Sequence, residues 1–125
     1  LLGYWIIEYK GLSVLYWVYD IAIGLFTIQI NCVEDLKPEN FMVDQDGYLK
    51  FISFESSKYI GESHKTSTII GTPHYMAPEL SKKQYNELVD LWAVGIMLYE
   101  FINGTLPFGA DTDNPYEIYE SILKG

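Results

Sequence analysis

The stretch Asp35-Leu36-Lys37-Pro38-Glu39-Asn40 carries the most information about fold and function in this sequence. It places a carboxylate, a cation and an amide on one short segment, and phosphoryl transfer needs an oriented hydroxyl with cations beside the developing charge. Taken alone, the stretch is also typical of a polar turn, because proline and asparagine commonly occur in turns. The motifs that follow it decide between these two interpretations.

Two further motifs occur downstream in a fixed order. The first is Gly71-Thr72-Pro73-His74-Tyr75-Met76-Ala77-Pro78-Glu79, and the second is Asp90-Leu91-Trp92-Ala93-Val94-Gly95. Their order and spacing resemble the C-terminal lobe of a protein kinase. Four segments look most similar to those of protist cGMP-dependent protein kinases, in the AGC group: residues 38–50, 66–79, 98–109 and 114–125. The resemblance covers residues 20–125 and favours kinase ancestry over an isolated turn.

This resemblance implies an α+β fold, namely a mostly α-helical kinase C-terminal lobe with a short β-hairpin beside the catalytic loop. We expect residues 1–125 to be one partial kinase domain, in which 20–125 form the lobe. Residues 1–19 match poorly and resemble a remnant of the hinge strand. No glycine-rich phosphate loop or lysine-bearing strand precedes Asp20, so we expect the N-terminal lobe to be missing, together with the last helices of the domain.

The resemblance also implies roles for single residues. Asp35 would orient the attacking hydroxyl and accept its proton, and Lys37 would neutralise the transferring phosphoryl group. Asn40 would bind one Mg²⁺ ion of an ATP–Mg²⁺ complex. Asp90 would hold the backbone of the catalytic loop, although a carboxylate near a helix start can also serve only the helix dipole. Glu79 would belong to a buried ion pair, whose arginine partner this sequence lacks.

The presumed metal site departs from the family pattern at two positions. Ser53, in Ser53-Phe54-Glu55, stands where the family has the aspartate that is its main metal ligand. A neutral hydroxyl is a poor ligand for a hard divalent cation. Glu55 replaces the glycine of the same triplet, which stiffens its hinge. We therefore expect weakened ATP and Mg²⁺ binding, and phosphoryl transfer slowed on the order of a thousandfold or more.

A third departure lies beside Asp35. Glu34 stands where the family has an arginine that docks a phosphorylated activation loop, and this sequence contains no arginine at all. The matching activation-loop residues are Thr68, the expected phosphorylation site, and Thr72. A phosphate on Thr68 would meet a like charge at Glu34. Residues 66–68 are equally consistent with an ordinary polar loop.

Composition limits the classes of partner. A hydrophobic content of 49% excludes an intrinsically disordered chain, and a length of 125 residues suffices for one domain. The net charge of −9 argues against nucleic-acid binding and favours basic partners, such as a protein substrate or a partner kinase lobe. The single Cys32 excludes an internal disulfide, predicts a small buried side chain and suggests a cytoplasmic location.

Residues 12–30 are largely apolar, which suggests either a membrane span or a buried helix of the lobe. Asp20 lies near the centre of this segment and Gly24 follows it. An ionisable side chain at the middle of a bilayer is costly. We therefore expect a buried helix over roughly Val14 to Ile30 and no membrane span.

Local patterns predict a hairpin after the first motif. Phe41 to Val43 and Tyr48 to Phe51 read as its strands, and Asp44-Gln45-Asp46-Gly47 as its turn. This hairpin would bring Asn40 beside Ser53.

Two helices are predicted further along the chain. A helix that is apolar on nearly every face is expected from about Glu87 to Asn103, with Gly104 ending it. An amphipathic helix is expected over Pro115 to Lys124.

Three functions are consistent with these features. The first is a serine/threonine protein kinase, similar to the cGMP-dependent kinases, that transfers phosphate from ATP to protein. The second is a pseudokinase lobe that acts as an interaction module, which Ser53 and Glu34 indicate. The third is a non-functional gene fragment, suggested by the poor match of residues 1–19. We predict kinase ancestry with catalysis impaired in this chain.

Overall fold

The computed structural model describes residues 32–46, 49–57, 71–81 and 85–125. Four predictions concern residues outside these ranges. They are the hinge remnant at 1–19, the buried helix expected over Val14 to Ile30 in place of a membrane span, the turn glycine Gly47 and the activation-loop Thr68. In the part of the chain that is described, no helix is long and apolar enough to cross a membrane.

The predicted hairpin is confirmed. Strand β1 (Phe41–Val43) pairs antiparallel with β2 (Leu49–Phe51), and Phe41 lies opposite Phe51. The rings of these two phenylalanines are 5.1 Å apart between centroids, and Phe41 is buried. The backbone N–H of Ile52 donates to the carbonyl of Asn40 over 2.9 Å. The pairing therefore continues past the strands and brings Asn40 next to Ile52, the residue before Ser53.

Short 3₁₀ turns shape the loops on either side of the hairpin. They span Pro38–Asn40, Pro73–Tyr75 and Pro78–Ser81, and each begins with a proline. Proline suits the first position of a helical turn, because its φ is already helical and its missing N–H would have no partner there. The sequence motifs contain these prolines, but the turns themselves were not predicted.

Helix α1 (Leu88–Asn103) begins one residue later than predicted and ends as predicted at Gly104. Gly104 has a φ of 74°, and its N–H donates to the carbonyl of Glu100 over 2.8 Å, as glycine commonly does at a helix end. One side of α1 is buried, but the helix is not covered on every face. Its exposed large apolar side chains are Leu88, Leu91, Tyr99 and Ile102.

Helix α2 (Pro115–Lys124) has the predicted bounds. The side chain of Asn114 accepts a hydrogen bond from the backbone N–H of Tyr116 over 3.1 Å, which caps the first turn. Ile118 and Ile122 are buried, so the amphipathic pattern predicted from the sequence is confirmed.

The core lies between α1 and the loops that precede it. Two hydrophobic clusters contain buried side chains of both, and the half-buried Trp92 of α1 packs against each cluster. Cys32 is fully buried, as predicted. The first cluster contains Val33, Leu36, Phe41, Tyr75, Ala93, Val94, Ile96 and Met97, and the second contains Cys32, Ala77, Leu80, Tyr85 and Val89. The segments that carry the sequence motifs are therefore fixed against α1 by burial of apolar side chains.

Candidate active site

The carboxylate of Asp35 lies at the centre of a polar network. Its Oδ1 accepts hydrogen bonds from the backbone N–H of Thr72 over 3.1 Å and from the Thr72 hydroxyl over 3.2 Å. Its Oδ2 lies 3.0 Å from the Lys37 ammonium and 3.2 Å from the Asn40 amide nitrogen. Three residues from two segments of the chain therefore contact this one carboxylate.

Lys37 links the two segments a second time. Its ammonium donates to the Thr72 hydroxyl over 2.8 Å while it also pairs with Asp35. The side chains of Lys37 and Asp35 are 24% and 20% exposed, so the network is partly open to solvent. The arrangement places a hydroxyl within hydrogen-bond reach of a carboxylate and beside a cation. A hydroxyl of a substrate could make the same contacts, and this is the geometry that proton acceptance requires.

Hydrogen bonds from its side-chain nitrogen orient Asn40. Its Nδ2 donates to the Asp35 carbonyl over 2.7 Å as well as to the Asp35 carboxylate. Because the nitrogen is used in this way, the amide oxygen is the atom of Asn40 that could bind a cation.

Ser53 is half-buried. It follows Ile52, whose backbone N–H is hydrogen-bonded to the Asn40 carbonyl. The next side chain, Phe54, is 48% exposed and meets Phe51 edge-on with 4.9 Å between ring centroids. Glu55 is exposed. Among the described residues there is no group of three or more His, Cys, Asp or Glu that could hold a metal ion. An amide oxygen and a hydroxyl do not fit Mg²⁺, which prefers carboxylates and phosphate oxygens.

Asp90 holds the backbone just before Asp35. Its Oδ2 accepts from the Val33 N–H over 2.7 Å and its Oδ1 from the Glu34 N–H over 3.0 Å. Asp90 is only 5% exposed, and this burial raises the pKa of its carboxyl group. The two backbone hydrogen bonds oppose that rise, because they favour the ionised form, and the nearby charge of Glu34 adds to it. A carboxylate with two backbone partners does more than interact with the helix dipole.

Glu34 is also buried, and its side chain has a partner within the fold. The Tyr85 hydroxyl donates to Glu34 Oε1 over 2.9 Å. The sequence suggested that Glu34 would face a phosphate on Thr68, which lies outside the described residues. In the described part of the chain, the Glu34 carboxylate is hydrogen-bonded to Tyr85.

The prediction that Glu79 would be a buried, unpaired carboxylate is wrong in this structure. Glu79 is exposed in the turn Pro78–Ser81, whereas its neighbour Leu80 and the preceding Ala77 are buried. The turn presents the apolar side chains to the core and the carboxylate to solvent. The desolvation cost expected for Glu79 therefore does not arise.

Two contacts of this region had not been predicted from the sequence. The first joins Asp35 to Thr72, which had been assigned only to the activation loop. The second joins the Tyr75 hydroxyl to Glu100 Oε2 over 2.8 Å, and burial together with this contact raises the pKa of Tyr75. Thr72 and Tyr75 both belong to the Gly71–Glu79 motif, but the motif does not indicate which residues they contact.

Comparison with known proteins agrees with this geometry. A family model described as "Protein kinase domain" matches residues 16–124. The chain is 53% identical over 93 residues to a cGMP-dependent protein kinase of Plasmodium berghei, and the match covers 73% of this chain and 10% of that protein. It is 50% identical over 92 residues to a cGMP-dependent protein kinase, isozyme 1, of Drosophila melanogaster, with 73% of this chain and 12% of that protein covered.

A third relative extends the comparison to another kinase. The chain is 44% identical over 92 residues to a cAMP-dependent protein kinase catalytic subunit of Schizosaccharomyces pombe, and the match covers 73% of this chain and 17% of that subunit. The chain thus spans a small part of the length of the curated relatives that it matches. The chain belongs to the protein kinase family, and the part of a kinase that it represents resembles the cGMP-dependent protein kinases.

Proposed function

We propose that this chain is the catalytic-loop region of a serine/threonine protein kinase similar to the cGMP-dependent kinases, and that its phosphoryl transfer from ATP to protein is impaired. One observation supports this most strongly. The groups that would act on the substrate hydroxyl are assembled around Asp35, whereas Ser53 offers only a hydroxyl where a metal-binding carboxylate is needed.

In this proposal Asp35 orients a serine or threonine hydroxyl of the substrate and accepts its proton. Thr72, whose hydroxyl and N–H both donate to Oδ1, holds the carboxylate in position. Lys37 carries the positive charge nearest to Asp35 Oδ2 among the described contacts, so it would lie beside the transferred group. Since the residues at the hairpin do not fit Mg²⁺, we assign no step of the reaction to the metal.

The lobe assignment and the partners belong to the same proposal. Helix α1 packs against the segment that carries Asp35, and helix α2 packs against the turns Pro73–Tyr75 and Pro78–Ser81. Together with the two-stranded hairpin, this arrangement supports a C-terminal lobe. The net charge of −9 supports a basic protein substrate or a partner kinase lobe, and argues against nucleic acid. A cytoplasmic location is part of the same proposal, and the low cysteine content, one Cys in 125 residues, supports it.

A phosphotransfer assay tests the proposal. The full-length protein is incubated with radiolabelled ATP, Mg²⁺ and a basic peptide, with the Asp35→Asn variant as the background control. We expect incorporation that does not exceed this control. Incorporation by the wild type that disappears in Asp35→Asn would show an active kinase and contradict the impairment.

A pseudokinase that acts as an interaction module is the second candidate. It is favoured by Ser53, a neutral hydroxyl where the family pattern has a metal-binding aspartate, and by Glu34, a carboxylate where that pattern has an arginine. Asp35→Asn would then leave partner binding by the full-length protein unchanged, whereas loss of binding in that variant would count against a module independent of catalysis. Affinity measured for partners recovered by cross-linking distinguishes these outcomes.

A further inference from the structure

The residue before the presumed catalytic base has an unusual backbone conformation. Glu34 has a φ of 68°, and among the described residues it is the only one other than glycine with a positive φ. A residue with a side chain pays an energetic cost in this region. Such a conformation persists only when the surrounding structure determines it. The contacts of Glu34 therefore show what holds the turn that carries Asp35.

Three segments of the fold meet at Glu34. The Tyr85 hydroxyl donates to its carboxylate over 2.9 Å, and its N–H donates to Asp90 Oδ1 over 3.0 Å. Its carbonyl lies against Gly71, where a Cβ atom would be only 2.6 Å from the oxygen. Glu34 and Tyr85 are 9% and 4% exposed. The side chain and the N–H of this buried residue are thus hydrogen-bonded to two different parts of the chain, and its carbonyl lies against a third.

The contact with Gly71 connects Glu34 to the site itself. Gly71 directly precedes Thr72, whose N–H donates to Asp35 Oδ1. A shift of the Glu34 backbone would therefore move Asp35 on one side and Thr72 on the other. The hydrogen bond between Tyr85 and Glu34 acts on the same backbone, and a hydrogen bond to a buried charged group is among the stronger ones in proteins.

We propose that Glu34 is a positioning residue, and that its hydrogen bond with Tyr85 helps to fix the turn carrying Asp35. The assignment of Asp35 as the base rests on the proposed function, but the positioning of the turn does not.

Hydrogen exchange of backbone amides, read by mass spectrometry on the full-length protein, tests the proposal. We expect Tyr85→Phe to speed exchange at residues 33–37 roughly tenfold, because a buried charged hydrogen bond is lost. Tyr116→Phe is the matched control, since Tyr116 is 87% exposed. Equal exchange at residues 33–37 in the two variants would overturn the proposal.

Variants of Glu34 keep the test decisive if Tyr85→Phe does not fold. Glu34→Gln retains an oxygen that accepts from Tyr85, so it is expected to exchange close to wild type, whereas Glu34→Ala is expected to exchange faster. Faster exchange in both variants alike would contradict a role for the hydrogen bond. None of these measurements requires catalysis, so an inactive protein affects only the proposed function.

Discussion

Replacing Asp90 is the most informative perturbation of the fold around the site, because this one side chain accepts two backbone hydrogen bonds from the residues before Asp35. In Asp90→Ala, the N–H groups of Val33 and Glu34 lose their acceptor within a buried region. Each buried donor without a partner costs about 1–3 kcal/mol. Asp90 is itself costly to bury as an ion, so we expect a net loss near the lower half of that sum, about 2–4 kcal/mol.

Asp90→Asn separates the two hydrogen bonds. An asparagine side chain presents one oxygen and one NH₂ group, so it can accept from only one of the two N–H groups through its former carboxylate positions. We therefore expect about half of the loss seen for Asp90→Ala, roughly 1–2 kcal/mol. Urea unfolding of the full-length protein gives the difference, and Asp111→Asn on the exposed loop is the matched control. Losses for both Asp90 variants that equal the control would refute the reasoning.

The pH dependence of stability provides a second test of the role of Asp90. Burial raises the pKa of Asp90 above its ordinary value of 3.8. At a pH between the pKa of Asp90 in the unfolded state and its raised pKa in the folded state, the folded protein keeps a proton that the unfolded chain has released. The contribution of Asp90 to the free energy of unfolding is therefore full at low pH and declines as pH rises through the raised pKa. We expect wild type to exceed Asp90→Asn in stability by more at mildly acidic pH than at neutral pH. The nearby charge of Glu34 adds to the rise in the pKa of Asp90 that burial causes.

Three further variants test packing and surface contacts by urea unfolding. Gly71→Ala is expected to lower the free energy of unfolding by about 2 kcal/mol or more, because Gly71 has a φ of 129° and a Cβ atom would lie 2.6 Å from the Glu34 carbonyl oxygen. An unchanged urea midpoint would contradict that contact. Met97→Ala is expected to lose about 2–5 kcal/mol, since Met97 is fully buried, whereas Met42→Ala, at a residue 52% exposed, is its control. Lys124→Ala is expected to leave the midpoint unchanged, because its ion pair on α2 is exposed.

Elements with a local cause could be predicted from the sequence. The bounds of α2 follow from Asn114, Pro115 and a clear amphipathic pattern. The end of α1 follows from Gly104, and its start differed by one residue, which is the usual uncertainty at a helix end. The hairpin follows from two apolar runs around a polar turn.

Contacts between distant residues could not be predicted, because no local pattern encodes them. Tyr85 lies 51 residues from Glu34, and Thr72 lies 37 residues from Asp35. The burial of Glu79 was predicted wrongly for the same reason, since the orientation of its turn depends on how Ala77 and Leu80 pack. The family resemblance suggested roles for the site residues, and the structure adds the partners that fix their positions.

Calorimetric titration of the full-length protein with ATP, with and without Mg²⁺, tests the central claim most directly. The wild type and Ser53→Asp are compared, and Asn40→Ala in the Ser53→Asp background is the control for the second ligand. We expect no Mg²⁺-dependent gain in ATP affinity for the wild type, a clear gain for Ser53→Asp, and loss of that gain in the control. A wild type whose ATP affinity rises with Mg²⁺ as strongly as that of Ser53→Asp would contradict this expectation.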